Sequence, residues 1–220
     1  MSGAADLQRL LTWLSPAFPV GTFAWSAGLE TLIADRRITD SQSLQDWLDG
    51  LLTHGGLRVD AIILAHAHRT NTDGAELSRL AEFALALTGA KERRDEMLTT
   101  GESFVVAAKA WPSEVFGRLP RPCPYAVAVG AVAGAHGIAP SDTLLAFLTA
   151  SVHGQVSVAV RLVPLGQTAG LTVMAALEPL VAMLAAAAAT ASLDSIGSIA
   201  YAAEIAQMRH ETLEPRLFRS

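Results

Sequence analysis

The chain has 220 residues, 51% of them hydrophobic and only 17% charged, with 16 Lys plus Arg against 21 Asp plus Glu and a net charge of −5. That balance excludes a disordered segment, which needs low hydrophobicity and high charge, and it argues against a nucleic-acid binder, which presents a basic face. The length suits one domain, and a mean hydropathy of +0.35 leaves two readings, a membrane protein or a subunit with a large buried interface.

In chain order the pattern predicts a series of amphipathic helices with short breaks. Leu7, Leu10, Leu11 and Leu14 form a first apolar stripe at helical spacing. Pro16, Pro19 and Gly21 then break the chain, and a second helical segment is expected over 22–35. The third is the cleanest: Asp40 or Ser41 can cap it, and Leu44, Trp47, Leu48, Leu51 and Leu52 follow the spacing of one buried face. Gly55-Gly56 ends it, and helices over 57–69 and 75–87 follow, separated by a polar turn at 71–74. A long helix is predicted at 91–111, polar at its start and apolar at its end, stopped by Pro112.

Residues 112–124 carry Pro112, Pro120, Pro122 and Pro124 and read as an irregular surface loop. A small-residue helix at 125–136 can pack closely against its neighbours, and Pro140 opens another helix with Leu144, Leu145, Phe147 and Leu148. Residues 157–165 alternate and are rich in valine, so periodicity alone permits a strand. No partner strand is apparent elsewhere, and a lone strand would leave its backbone unpaired, so the segment is read as helix. A proline-broken helix is expected over 171–191, and Ile196, Ile199, Ala200 and Ala203 form a last stripe. The fold expectation is all-α: one multi-helix bundle of about nine or ten helices over 1–220, without significant sheet, with a flexible N-terminal few residues and a docking tail at 208–220.

A membrane span needs about 20 consecutive apolar residues. The greasiest stretch, 170–193, is interrupted by Glu178-Pro179, and Asp6, Gln8 and Arg9 deny the N-terminus a signal-peptide pattern. The expectation is no membrane and a cytoplasmic protein.

Motifs for catalysis are missing from the sequence. Lys91 and Lys109 are its two lysines and neither follows a phosphate-cradling glycine loop, and no H-E-x-x-H or G-x-S-x-G occurs. The single cysteine, Cys123, reads as a buried or half-buried thiol in a turn. His66 and His68 stand two apart, about 200° round a helix, and so face opposite ways and cannot jointly chelate. His54, His136 and His153 each precede a glycine and are placed near helix ends. The expectation is therefore no metal site, no cofactor and at most weak binding of a metal ion. The fourteen arginines (16 − 2) suit protein interfaces. The tail carries Arg209, His210, Glu211, Arg216, Leu217, Phe218 and Arg219, charged heads mixed with large apolar side chains, and reads as a segment that orders on a partner.

Four blocks of this sequence resemble the UreF family of urease accessory proteins. The first is Leu14-Ser15-Pro16-Ala17-Phe18-Pro19-Val20-Gly21-Thr22-Phe23 with Gly28-Leu29-Glu30. The second is Arg94-Asp95-Glu96-Met97-Leu98 with Gly101 and Phe104, and the third is the block 156–168. The last is Met208-Arg209-His210-Glu211-Thr212 with Arg216-Leu217-Phe218-Arg219-Ser220. Ala24, Trp25 and Ala27 depart from the family pattern.

The resemblance implies an all-α homodimer that is not an enzyme. It implies an adaptor that bridges a UreD/UreH-type accessory protein and the nickel-carrying GTPase UreG on apo-urease, assembles the nickel-insertion complex and modulates the GTPase. Two other readings stay open: a protein that ligates nickel directly, and a GTPase activator with an arginine finger, Arg209 or Arg216. Residues 208–220 are the expected docking segment. Ser15, Pro16, Phe18, Pro19, Gly21, Gly28 and Glu30 form the signature loop.

Overall fold

A helix without a polar face forms the centre of the molecule. In the computed structural model, which describes residues 3–197 and 200–220, α7 (Tyr125–Ala135) has every residue from 126 to 133 buried. Such a helix must be surrounded. It is, by α4 (Gly56–Arg69), α5 (Gly74–Ala86), α6 (Lys91–Ala108) and α8 (Pro140–Leu162). The closest approach is to α4. Gly130 and Gly134, one turn apart, face the carbonyl oxygens of Leu64 and His68, also one turn apart, and a Cβ at either glycine would collide with them. Gly101 of α6 meets the start of α7 in the same way, against the backbone of 123–125.

Around this centre stand α1 (Ala4–Trp13), α2 (Leu29–Ala34), α3 (Ser41–His54), α9 (Gln167–Thr190) and α10 (Tyr201–His210). Short 3₁₀ segments occur at Thr22–Ala24, Glu114–Gly117 and Leu193–Ser195. The described residues thus hold ten α-helices and no strand, as an all-α reading requires. α3 follows its pattern closely. The Asp40 carboxylate accepts from Ser43 N at 2.8 Å, and Leu44, Leu48, Leu51 and Leu52 are buried against α4, α8 and α9. An aromatic cluster joins α1, the proline loop at 14–21, α6, α7 and α8. Trp13 packs edge-on to Phe104 and Trp111, Phe18 leans on both, and Tyr125 bridges Phe104 to Phe147.

Several expectations need correction. On α1 the buried residues are Leu10 and Trp13, while Leu7 and Leu11 face outward; the indole is the larger apolar group and takes the core. The segment 22–35 is a 3₁₀ turn and a six-residue helix, because the positive φ of Ala27 and Gly28 separates them. The helix from Lys91 ends at Ala108, before Pro112. Residues 112–124 are not simply a surface loop, since Val115, Leu119 and Cys123 are buried. The helical reading of 157–165 holds over 157–162, the end of α8, and stops short only at 163–165, while His153 sits inside that helix rather than near its end. Ile199 of the last stripe and the first two residues lie outside the described residues; Ala203 and Ala206 are buried.

The proline break is also absent: α9 runs unbroken through Pro179. Pro179 lies on the exposed face of the helix, where the carbonyl that its missing N–H leaves free can be solvated. Both α8 and α9 are therefore long and apolar enough to cross a membrane by length and composition. They pack on each other and on α3 and α4, with Val152, Val156, Val173, Leu177, Val181 and Leu184 in the core.

The glycine contacts can be tested by substitution. Gly130→Ala forces Cβ into the Leu64 carbonyl and is expected to destabilise the protein by about 1–3 kcal/mol. Gly50→Ala, inside α3 with open space around it, is expected to stabilise by roughly 0.5–1 kcal/mol. Urea unfolding of the two variants beside the parent checks both signs.

Candidate functional site

The segment after α10 turns back and lies along α2 and the turn at 24–28. Its seat is prepared by the backbone. Gly28 holds φ +82° and lies so close to α10 that a Cβ would meet Gln207 N at 2.8 Å. Thr31 Oγ1 donates to Ala206 O at 3.0 Å, which fixes α10 on α2. The centre of the seat is Glu30, only 6% exposed. Its Oε1 accepts from Leu217 N at 2.7 Å, and its Oε2 accepts from Phe218 N at 3.0 Å and lies 2.9 Å from His210 Nε2. The other imidazole nitrogen, Nδ1, lies 2.8 Å from Glu92 Oε2, and Glu92 Oε1 accepts from Arg216 at 2.6 Å.

Further along, Arg219 N donates to Ala24 O at 2.8 Å, and its guanidinium stands 4.7 Å over the Trp25 ring. Ser26 donates through N and Oγ to Ser220 O, and Ala27 N donates to Ser220 Oγ at 3.2 Å. Arg161 of α8 stands 5.7 Å over the Phe218 ring. The strap 209–220 is thus tied to α2, α6, α8 and the 24–28 turn.

The expected docking tail lies folded onto the molecule, with its residues divided between inside and outside. His210 is 0% exposed, and Phe218 and Ser220 are also buried, so their contacts are spent inside the molecule. Arg209 pairs with Asp35 at 2.5 Å, Arg216 with Glu92, and Glu211 accepts from Lys91 N at 3.2 Å at the start of α6. Leu217 alone of the two large apolar tail residues points outward, 79% exposed. A tail whose loss leaves the helical body intact does not fit this arrangement.

The signature-loop residues divide similarly. Phe18 fills the aromatic cluster, Gly21 and Gly28 hold positive φ, Ser15 Oγ accepts from Ala17 N at 3.1 Å, Pro16 and Pro19 are exposed, and Glu30 anchors the strap. Sequence reasoning missed Ser26, Thr31, Glu92 and Arg161, whose partners are 118 or more residues away in the strap and α10, except for Arg161. The available signal was that Glu30, Arg161 and His210 all fall inside signature blocks.

Beside the seat lies a cavity of about 390 Å³, walled by the proline loop, α4, α6, α7 and α8. Trp25, Ala27 and Arg161, which hold the strap, also line it, as does Gln207 of α10. Its floor carries an ion triad: Arg93 pairs with Asp60 and, at 2.6 Å, with Glu96. Burial disfavours the Arg93 charge, but Asp60 and Glu96 together outweigh that and hold it above its ordinary range. Burial likewise pushes the Asp60 carboxyl up, with Arg93 pulling it back. Gln155, also on the wall, has a buried amide oxygen without a hydrogen-bond partner.

The histidines expected to diverge do so: His66 Nε2 meets Ala191 O at 3.0 Å and His68 Nε2 meets Ile138 O at 2.8 Å, on different sides of α4. Among the described residues no group of three or more His, Cys, Asp or Glu side chains is arranged to hold a metal ion. Cys123 is buried, and burial, with Glu102 adding to it, pushes its thiol up to about 12.

Two outcomes are expected. Glu30→Ala strands His210 and two backbone N–H groups and should cost roughly 3–5 kcal/mol, whereas Leu217→Ala should stay within about 0.5 kcal/mol of the parent. Chemical denaturation distinguishes them. For His68, burial lowers the folded-state proton affinity, more than the Ile138 carbonyl restores. The unfolded chain therefore takes up this proton first as pH falls, so the contribution is complete above about pH 6.5 and is lost below it. His68→Gln should flatten the fall in stability between about pH 7 and 5, read by denaturation at each pH.

A model of the UreF family matches residues 38–178, well over half of the chain. A urease accessory protein UreF of Rhizobium etli is 48% identical over 223 residues, covering 100% of both chains. One of Agrobacterium fabrum is 48% identical over 219 residues, 100% of this chain and 98% of the relative. A urease accessory protein UreF 1 of Brucella canis is 45% identical over 214 residues, 97% of this chain and 94% of the relative. The family model stops before the strap, but the Rhizobium and Agrobacterium relatives, aligned over 100% of this chain, span it. The chain belongs to the UreF family of urease accessory proteins.

Proposed function

We propose that this protein is a non-enzymatic adaptor in urease maturation. In this reading it works in the cytoplasm as a homodimer and bridges a UreD/UreH-type accessory protein and a UreG-type GTPase on apo-urease. It would modulate the GTPase and carry no cofactor of its own, with nickel passing as cargo of the assembled complex. Full-length identity of 48% to a urease accessory protein carries the reading.

The surface supports it. Tyr201, Ile205 and Met208 follow one another at helical spacing on the outer face of α10, 66%, 54% and 45% exposed, and the exposed Leu217 belongs to the strap that follows this helix. Aromatic and aliphatic groups of this size, flanked by Arg209, Arg216 and Arg219, match the composition of interface hot spots. The arginine-finger reading draws no support, because Arg209 and Arg216 are already paired with Asp35 and Glu92. Direct nickel ligation draws none from His66 and His68, whose rings are bonded to separate carbonyls.

A pull-down with separately purified UreD-type and UreG-type partners tests the reading. Capture of the GTPase only when this chain and the UreD-type protein are both present is the expected result; capture that is indifferent to this chain would sink it. Within that experiment Leu217→Ala should weaken capture by the UreD-type partner about tenfold or more while leaving the melting temperature unchanged.

A further inference from the structure

One wall of the cavity beside the strap carries a buried amide with nothing to bond. α8 brings Phe147, Ser151 and Gln155 to the cavity at intervals of four residues, as one stripe. Ser151 spends its hydroxyl on the Phe147 carbonyl at 2.9 Å. Gln155 is only 9% exposed, its amide oxygen is buried, and the amide makes no hydrogen bond among the described residues. A half-turn of the amide exchanges its oxygen and nitrogen, so the cavity can be offered either. A buried polar group left in this state costs stability, and a polar partner brought from outside would remove that cost.

The cavity floor is also rich in acceptors. Asp60 and Glu96 share one guanidinium: Arg93 donates through one terminal nitrogen to Asp60 Oδ2 and through the other to Glu96 Oε2, at 2.6 Å for the latter. Asp60 Oδ1 and Glu96 Oε1 meet no donor among the described residues. A ligand suited to this floor brings donors and no lone pair, which describes an ammonium group. Arg93, seated on both carboxyl groups, disfavours a bare metal ion there. Arg161 and His153 also line the cavity, but both are exposed, where water and salt screen their charge. The remaining wall is largely hydrocarbon, with Leu14, Val20, Met97, Tyr125 and Phe147, and about 390 Å³ suits a small organic molecule.

We propose that this cavity binds a small organic ammonium whose hydrocarbon body carries a second hydrogen-bond donor. The ammonium donates to the spare carboxyl oxygens of Glu96 and Asp60, the second donor serves the Gln155 amide oxygen, and the body lies against Met97, Tyr125 and Phe147. The site belongs to the isolated chain and is independent of the adaptor reading.

The test titrates the full chain with three probes that share a ring: tyramine, which has both donors, 4-ethylphenol, which lacks the ammonium, and phenethylammonium, which lacks the hydroxyl. Calorimetry should find tyramine bound at one site per chain and about tenfold or more tighter than either control. No saturable binding of tyramine up to about 10 mM overturns the proposal, as does 4-ethylphenol binding equally well. Gln155→Met removes the orphaned amide. It should weaken tyramine about tenfold, leave phenethylammonium unchanged, and melt no lower than the parent. Undiminished tyramine affinity in that variant overturns the assignment of Gln155 and with it the proposal. Glu96→Gln should weaken both ammonium probes and spare 4-ethylphenol; an unchanged preference for the ammonium counts against the site. If Glu96→Gln does not fold, the comparison of tyramine with 4-ethylphenol on the parent chain decides the same point.

Discussion

The arrangement of this protein turns on a single buried carboxylate. A charge taken out of water costs several kcal/mol unless every lone pair finds a donor, and Glu30 meets that demand only with groups that come from the far end of the chain. The backbone N–H groups of Leu217 and Phe218 and the ring of His210 all converge on it. Its own position is set by Gly28, whose positive φ lets α2 start directly beneath α10. The N-terminal turn, α2, α10 and the strap are therefore one cooperative unit, and a change at any of them is felt at the others.

What was legible in the sequence follows from where each signal lies. α3 could be read because its cap and its apolar face are local, with Asp40 and Ser43 three residues apart and leucines at helical spacing. The small-residue character of α7 pointed correctly to close packing, but not to which carbonyls Gly130 and Gly134 would meet. α9 was misread as broken because a proline rule calibrated on helix interiors ignores which face the proline occupies. The strap's internal anchoring is not legible, because charged residues mixed with Leu and Phe look alike whether they await a partner or already have one. Distinguishing the two needs Glu30 and Glu92, more than a hundred residues away. The resemblance marked Glu30 and His210 as worth watching, but could not say that they touch.

The unusual hydropathy divides between two destinations. Part of it disappears into α7, which is buried over eight consecutive residues, and so demands no partner protein at all. Another part remains outside, on the outer faces of α9 and α10, where Leu171, Met183, Tyr201 and Ile205 are exposed. Only the second part bears on association, so total composition overstates the interface while position identifies it.

The start of α6 shows why polar sequence is a poor guide to solvent. The run Lys91-Glu92-Arg93-Arg94-Asp95-Glu96 looks like a solvated first turn and a half. Lys91 and Asp95 do pair at the surface, and Arg94 reaches the Leu85 carbonyl. The other three turn inward. Glu92 clamps His210 and Arg216 of the strap, while Arg93 and Glu96 join Asp60 of α4 beneath the cavity. Adjacent residues of one helix thus fix two separate clusters, Glu92 on one side and Arg93 on the other. Both consist of acids and bases with satisfied partners rather than isolated charges, which is the condition under which burial is tolerated. Since one short stretch of α6 holds both the strap and the cavity floor, a shift of that helix end moves them together. The cavity and the strap are two sides of the same helix terminus.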